Sequence, residues 1–243
     1  MKYLTKEGEI EAVKGLDLTV KEHEFISIVG PSGCGKSTLL SLIAGLIQPT
    51  AGLVKLDNNQ VRGVSSKVGY MLQQDYLYEW RTIYQNAILG LEIQGKATKN
   101  NCKKARNLLQ KYGLGGFEDS YPNQLSGGMR QRAALIRTLS TEPEVLLLDE
   151  PFSALDYQTK LHMENEMYEI LNGQQNTALL VTHDIAEAIS MSDRVFILSG
   201  RPARVKKVVN IDFKDGLTPL QKREVPQFQK YFNEIWEELN IDV

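Results

Sequence analysis

Between an apolar, β-branched run at Phe25-Ile26-Ser27-Ile28-Val29 and a helical pattern from Ser37 to Ile47 lies Gly30-Pro31-Ser32-Gly33-Cys34-Gly35-Lys36-Ser37-Thr38. This stretch satisfies G-x-x-x-x-G-K-[ST] at every fixed position. The run before it reads as a buried strand. The pattern after it places Leu39, Leu40, Leu42, Ile43 and Leu46 at apolar helical positions. Strand, glycine loop and helix start make an anion site, because backbone N–H groups and the helix dipole converge there. The glycines let the loop wrap closely, Lys36 reaches β- and γ-phosphates, and the Ser37 hydroxyl is placed for Mg²⁺. An ordinary Gly-rich βα turn is the plain alternative; the full motif in this context outweighs it. The expectation is an α/β fold that binds a nucleoside triphosphate.

A chain of 243 residues suits one large α/β domain, or a core with an inserted subdomain. With 42% hydrophobic and 24% charged residues it has the composition of a soluble globular protein. The formal charge of −2 argues against a nucleic-acid partner, which calls for a basic face. Cys34 and Cys102 make neither a disulfide framework nor a metal-ligand pair, and a reduced cytosolic setting is expected. Cys34 reads as a small filler inside the loop. No apolar run is long enough to span a membrane. The N-terminus lacks a signal-peptide layout. If the protein moves a solute, the path belongs to another chain.

Residues 10–20 alternate as a strand does, and Glu22-His23-Glu24 reads as a turn. Gly52–Asp57 with Asn58-Asn59 predicts a strand and turn, and Val68–Leu72 a buried strand followed by Gln73 and Gln74. Helical periodicity covers 82–94 and 98–112, the second basic on one solvated side. Pro122–Gly128 breaks the pattern before a helix from Met129 to Ser140. Glu144–Asp149 is the most hydrophobic strand and ends in two carboxylates, Asp149 and Glu150. A helix over 158–171, a strand over 178–182, and two further strands at 194–198 and 204–209 follow. His183 ends the strand at 178–182, and Asp184 opens the next helix. After Pro226 an amphipathic helix runs through Leu239, its apolar stripe of Phe228, Tyr231, Phe232, Ile235 and Trp236 reading as packing.

A strand ending in Asp149-Glu150 supplies what a Mg-nucleotide site needs from a second place. Asp149 can hold Mg²⁺ through water, and Glu150 can act as general base on an attacking water. Leu125-Ser126-Gly127-Gly128-Met129-Arg130-Gln131-Arg132 puts a hydroxyl and two glycines at another helix start, a second anion cradle. This segment resembles the signature motif of the ATP-binding cassette (ABC) ATPases. In that family the cradle closes on the nucleotide of the opposing subunit, so the resemblance implies a homodimer sandwiching two ATPs. It also implies that Gln73 is the Q-loop glutamine, contacting Mg²⁺, and that Ser153-Ala154-Leu155-Asp156 is the D-loop. His183 matches the switch histidine, a partner of the γ-phosphate; His23 and His162 read as surface residues. Tyr3 lies where related cassettes stack an aromatic on adenine. Family members begin with a strand ahead of that aromatic, whereas this sequence begins almost on top of it; a shorter sheet edge or an upstream start would account for this.

The resemblance covers nearly the whole chain. It implies an ABC-type P-loop NTPase: a RecA-like mixed-sheet core (about 1–75 and 138–215) with an antiparallel β edge, an inserted helical signature subdomain (76–137) and a C-terminal helix (217–243), forming one domain over 1–243. Within the family, Gln73-Gln74-Asp75 through Trp80-Arg81-Thr82, Ser199-Gly200-Arg201-Pro202 and the tail Pro226…Trp236 are similar to the nitrate/sulfonate/taurine importer ATPases. Glu79 departs from the proline that usually precedes the tryptophan. The implied function is an ATPase on the cytoplasmic face of the membrane, coupled to a separate permease and an external solute-binding protein. Lys36, Ser37, Thr38, Gln73 and Asp149 would hold ATP and Mg²⁺, with Ser37, Gln73 and Asp149 on the metal, and Glu150 and His183 would serve hydrolysis. The ATPase would not touch the solute, and the resemblance implies only its kind: a small anion such as sulfonate, taurine or nitrate, or another small molecule such as a thiamine-pyrimidine precursor. A DNA-repair cassette would need coiled-coil heptads or a zinc hook, an exporter half would carry membrane helices, and a P-loop kinase or GTPase has no use for Leu125–Arg132.

Overall fold

A computed structural model describes residues 1–5, 8–153, 155–174, 176–214 and 216–240. They form two units, 1–65 with 168–243, and 66–167.

In the first unit, β3 (Phe25–Val29) is buried along its whole length. Its apolar run leaves no polar face, as expected of a strand covered on both sides. It pairs in parallel with β8 (Thr177–Val181) and with β9 (Arg194–Leu198). β9 in turn takes β10 (Val205–Asn210) antiparallel, so the sheet is mixed with an antiparallel edge. One face is covered by α7 (Ile185–Met191) and α9 (Pro226–Asn240). There Val29, Ile189, Ile197, Val209 and Ile235 form one buried cluster, with Phe228, Tyr231 and Phe232 packed against it. The aromatic stripe of the tail helix is therefore packing, as its periodicity predicts. A short helix, α8 (Pro219–Lys222), starts on a Thr218–Gln221 capping box that the periodicity did not reveal.

Two expectations are corrected here. The strand expected over residues 10–20 ends at Glu11: β1 (Lys2–Thr5) and β2 (Gly8–Glu11) make a short antiparallel hairpin. Beyond it the amides of Ala12 and Val13 turn to Met1 O, and Gly15 takes φ 54, so the alternating side chains are not presented on a ladder. The helix after the phosphate loop, α1 (Lys36–Ile43), stops short of Ile47. Gly45 lies at φ 73, and a Cβ there would sit 2.2 Å from Gly63 O, so the chain turns where only glycine fits. Strands β4 (Lys55–Leu56) and β5 (Asn59–Gln60) flank the expected turn.

In the second unit, β6 (Val68–Met71) and β7 (Val145–Asp149) pair in parallel. α5 (Gly127–Leu139) packs on β6 so closely that a Cβ at Gly69 would come 2.7 Å from Thr138 Cγ2. The pattern over 82–94 resolves into α2 (Ile83–Ala87) and α3 (Leu89–Ile93), hinged at Ile88. That over 98–112 becomes α4 (Lys99–Leu109) and a wider, π-type turn over Gln110–Leu114, broken at Gly113, φ 72, where a Cβ would come 2.7 Å from Arg132 Nη1. α6 (Tyr157–Gln174) follows β7, its residues from Tyr168 onward belonging to the first unit.

Candidate functional site

The predicted residues divide between the units: Tyr3, Gly30–Thr38 and His183 lie in the first, and Gln73, Ser126–Gly128, Asp149 and Glu150 in the second.

In the first unit the loop leaves the end of β3 and enters α1 through Gly35, whose φ of 125 is open to glycine alone. A Cβ at Gly35 would lie 2.8 Å from Ala12 O. Gly33 is also left-handed, at φ 72. No side chain caps α1, and its first turn holds no acidic residue, so the positive helix end is unanswered by its own sequence. Lys36 is only 7% exposed, and its ammonium donates to Gly30 O at 2.8 Å and Pro31 O at 3.0 Å. Both partners are neutral carbonyls of its own loop. Tyr3, on β1, donates its hydroxyl to Thr38 Oγ1 at 3.3 Å, which ties the hairpin to the loop. Cys34 is buried, as a filler would be. His183 is exposed at the end of β8, between Thr182, whose amide reaches Ile28 O at 3.2 Å, and Asp184. Asp184 caps α7 by accepting from the amides of Ala186 and Glu187.

In the second unit, β7 delivers Asp149 and Glu150. Asp149 is buried and accepts from Tyr70 Oη at 3.3 Å. Glu150 adopts φ 46, a left-handed conformation costly for a residue with a Cβ. Its carbonyl is held by the Ser153 amide at 3.2 Å and hydroxyl at 3.0 Å, and Gln73 Nε2 donates to its carboxylate at 3.4 Å. Gln73 and Glu150 are thus brought together. Ser126 is the N-cap of α5, its Oγ accepting from Met129 N at 3.3 Å. A Cβ at Gly128 would sit 3.0 Å from Thr159 Cγ2, whereas one at Gly127 would meet nothing within 4 Å. Packing therefore explains Gly128, whereas no neighbour among the described residues crowds Gly127. Of the D-loop positions, Ala154 lies outside the described residues. Asp156 caps α6, and hydrogen bonds from the Thr159 hydroxyl and amide hold its carboxyl below the usual carboxylate range.

Three groups of contacts lay beyond sequence reasoning. Arg137 places Nη1 on Tyr76 O and Nη2 on Asp75 O, both at 2.7 Å, while Arg130 Nε meets Asp75 Oδ2 at 3.1 Å. These arginines tie the segment after Gln73 to α5. Burial lowers the Arg137 pKa, with Asp75 opposing the shift. The other two groups are the Tyr70–Asp149 bond and the pair of bonds from Arg201 to the phosphate loop. The only sequence signal was Arg130 within the signature segment and Arg201 within Ser199–Pro202.

Residues 13–153 match the ABC transporter family, and the chain belongs to that family. It is 47% identical to the ABC transporter ATP-binding protein YtlC of Bacillus subtilis (strain 168), over 98% of this chain and 92% of that one. It is 41% identical to the nitrate import ATP-binding protein NrtD of Synechocystis sp. (strain ATCC 27184 / PCC 6803 / Kazusa), over 96% of this chain and 90% of that one. Among solved structures, it is similar to the dimeric post-hydrolysis state of the ATP-binding cassette MJ0796 bound to ADP and Pi. The TM-score is 0.75 at 32% identity, covering 87% of this chain and 96% of that one. The expected fold class, an α/β ABC-type cassette with a mixed sheet, is the one observed.

Proposed function

We propose that this chain is the ATP-hydrolysing subunit of an ABC importer, driving solute uptake through a separate permease. The observation that carries the reading is Lys36. A nearly buried ammonium resting on two neutral carbonyls, beside a helix start with no acidic residue, is an electrostatic arrangement that an anion completes. A polyphosphate fits that need, with Gly30, Pro31, Ser32, Gly33, Cys34 and Gly35 as the wrapping backbone and Lys36, Ser37 and Thr38 as side-chain ligands. Tyr3 would stack on the base.

Mg²⁺, carried in with ATP and held by Ser37, Gln73 and Asp149, would neutralise charge developing on the phosphates. Glu150 takes the proton of the attacking water, and Gln73, already donating to its carboxylate, orients it. His183 donates to the γ-phosphate. Ser126, Gly127 and Gly128 serve the nucleotide of a second copy, a role supported by the unhindered backbone at Gly127 and by the dimeric neighbour. We read residues 76–137 as the inserted helical subdomain of a single cassette whose core is 1–75 and 138–215, with the C-terminal helix at 217–243. The permease would dock near residues 73–95, where Tyr76, Trp80 and Ile93 are 57%, 72% and 77% exposed. The dimer would sit on the cytoplasmic face of the membrane, with a solute-binding protein outside. The relative named for nitrate import favours a small anion, such as nitrate, sulfonate or taurine.

Affinity purification of the tagged chain from native membranes tests the reading. An integral membrane permease is expected to accompany it. Recovery with DNA-repair proteins and no permease would overturn the importer assignment.

A further inference from the structure

We infer that Arg201 is a positioning residue for the phosphate loop, holding the Gly33–Cys34 peptide in its anion-binding orientation. Arg201 donates from Nε at 3.1 Å and from Nη2 at 2.7 Å to one acceptor, the carbonyl oxygen of Gly33. A peptide is planar and trans, so its C=O and N–H point in opposite directions. Pinning Gly33 O outward on the guanidinium therefore turns the Cys34 N–H inward. That amide is found directed across the loop, to Pro31 O at 3.3 Å. Without the pin that single long bond would be left to oppose rotation of this plane on the Gly33 side, because Gly33 lies at φ 72 and has no Cβ to limit it. Glycine lets the loop wrap a phosphate, and the fork of Arg201 removes the freedom that glycine introduces.

The turn that presents Arg201 is itself held. Ser199 N donates to Arg204 O at 3.0 Å, and Arg204 N to Ser199 Oγ at 3.1 Å. Ala203, fully buried, exchanges backbone bonds with the strand entry: its amide reaches Ala12 O at 2.9 Å, and its carbonyl accepts from Lys14 N at 3.1 Å. The same turn backs the rest of the loop, since a Cβ at Gly30 would meet Leu198 Cβ at 3.1 Å and one at Gly35 would meet Ala203 Cβ at 3.5 Å. Ser199-Gly200-Arg201-Pro202 is thus the buttress of the phosphate loop.

This inference rests on the phosphate loop holding the nucleotide, and Lys36→Ala separates the two. If Lys36→Ala binds MgATP as the parent does, the loop reading itself fails. With that control losing ATP, titration of the full-length chain with MgATP is expected to show Arg201→Ala binding about tenfold more weakly. In turnover, the KM for ATP should rise by about the same factor with kcat within about twofold, and the ligand-free melting temperature should stay near the parent's. Arg201→Lys keeps the charge but not the fork, and should recover little of the loss. Parent-like affinity in Arg201→Ala would overturn the inference. So would full rescue by lysine, which would mean that charge alone acts, or a loss matched by general destabilisation of the ligand-free chain.

Discussion

Single residues here carry strain that their identities do not announce. Glu150 sits at φ 46 at the end of β7, held there by two hydrogen bonds from Ser153 to its carbonyl. Backbone strain of this kind costs about 1–3 kcal/mol and persists where the surroundings over-determine it. It was invisible in the sequence, because glutamate at a strand end reads the same whatever its φ. The glycines are the opposite case, since their spacing announced the loop, and the structure supplies the reason for each. Gly35→Ala would place a Cβ 2.8 Å from Ala12 O on a backbone of φ 125. We expect it to cost about 2 kcal/mol. That corresponds to a fall of roughly 4–8 °C in melting temperature for a chain of this size. MgATP binding should weaken with it. A calorimetric scan that superimposes on the parent would contradict this account of the loop.

At the level of elements, hydrophobic period located the buried strands and the longer helices but not β1, β5 or α8, and element ends were set by contacts distant in sequence. α1 stops because Gly45 packs on Gly63, and the stretch 10–20 does not continue as a strand because the amides of Ala12 and Val13 go to Met1 O and its course is bent at Gly15. The start of β9 is tied to the approach to β3 by Arg194. Its guanidinium bonds both carboxylate oxygens of Glu24, reaches Thr19 O at 2.7 Å and lies 5.0 Å from the Phe196 ring centroid. Burial opposes ionisation of Glu24, yet the Arg194 and Lys21 hydrogen bonds outweigh it and hold its carboxyl below the ordinary glutamate range. A depressed carboxylate pKa contributes stability that is full above the unfolded value and is lost as pH falls through the folded one. Glu24→Gln should therefore melt lower than the parent at neutral pH, and the gap should close as pH drops below about 4.5. Melting curves whose separation stays constant down to acid pH would contradict the role of this pair.

For the molecule as a whole, each cradle reads as an incomplete device. The Gly30–Thr38 loop rests its ammonium on two neutral carbonyls, and at the Ser126–Gly128 helix start a Cβ on Gly127 would meet nothing within 4 Å. No helix among the described residues is long and apolar enough to cross a membrane. In the proposed dimer, Glu150→Gln keeps shape and hydrogen bonding but loses the base. It should bind MgATP, collect as dimers on size exclusion with ATP present, and hydrolyse about 10²–10⁴-fold more slowly. Parent-like turnover would remove Glu150 from the general-base role. The sequence by itself determined the fold class and the candidate ligands, because a phosphate loop and a signature segment require particular residue types at fixed spacings. Tertiary structure alone decided how those residues are held. Arg201 meets Gly33, Arg137 meets Asp75 and Tyr76, and Tyr70 meets Asp149 across separations of 168, 62, 61 and 79 residues, which no local pattern encodes. The phosphate loop is thus legible as a motif, and its rigidity comes from a turn near the other end of the chain.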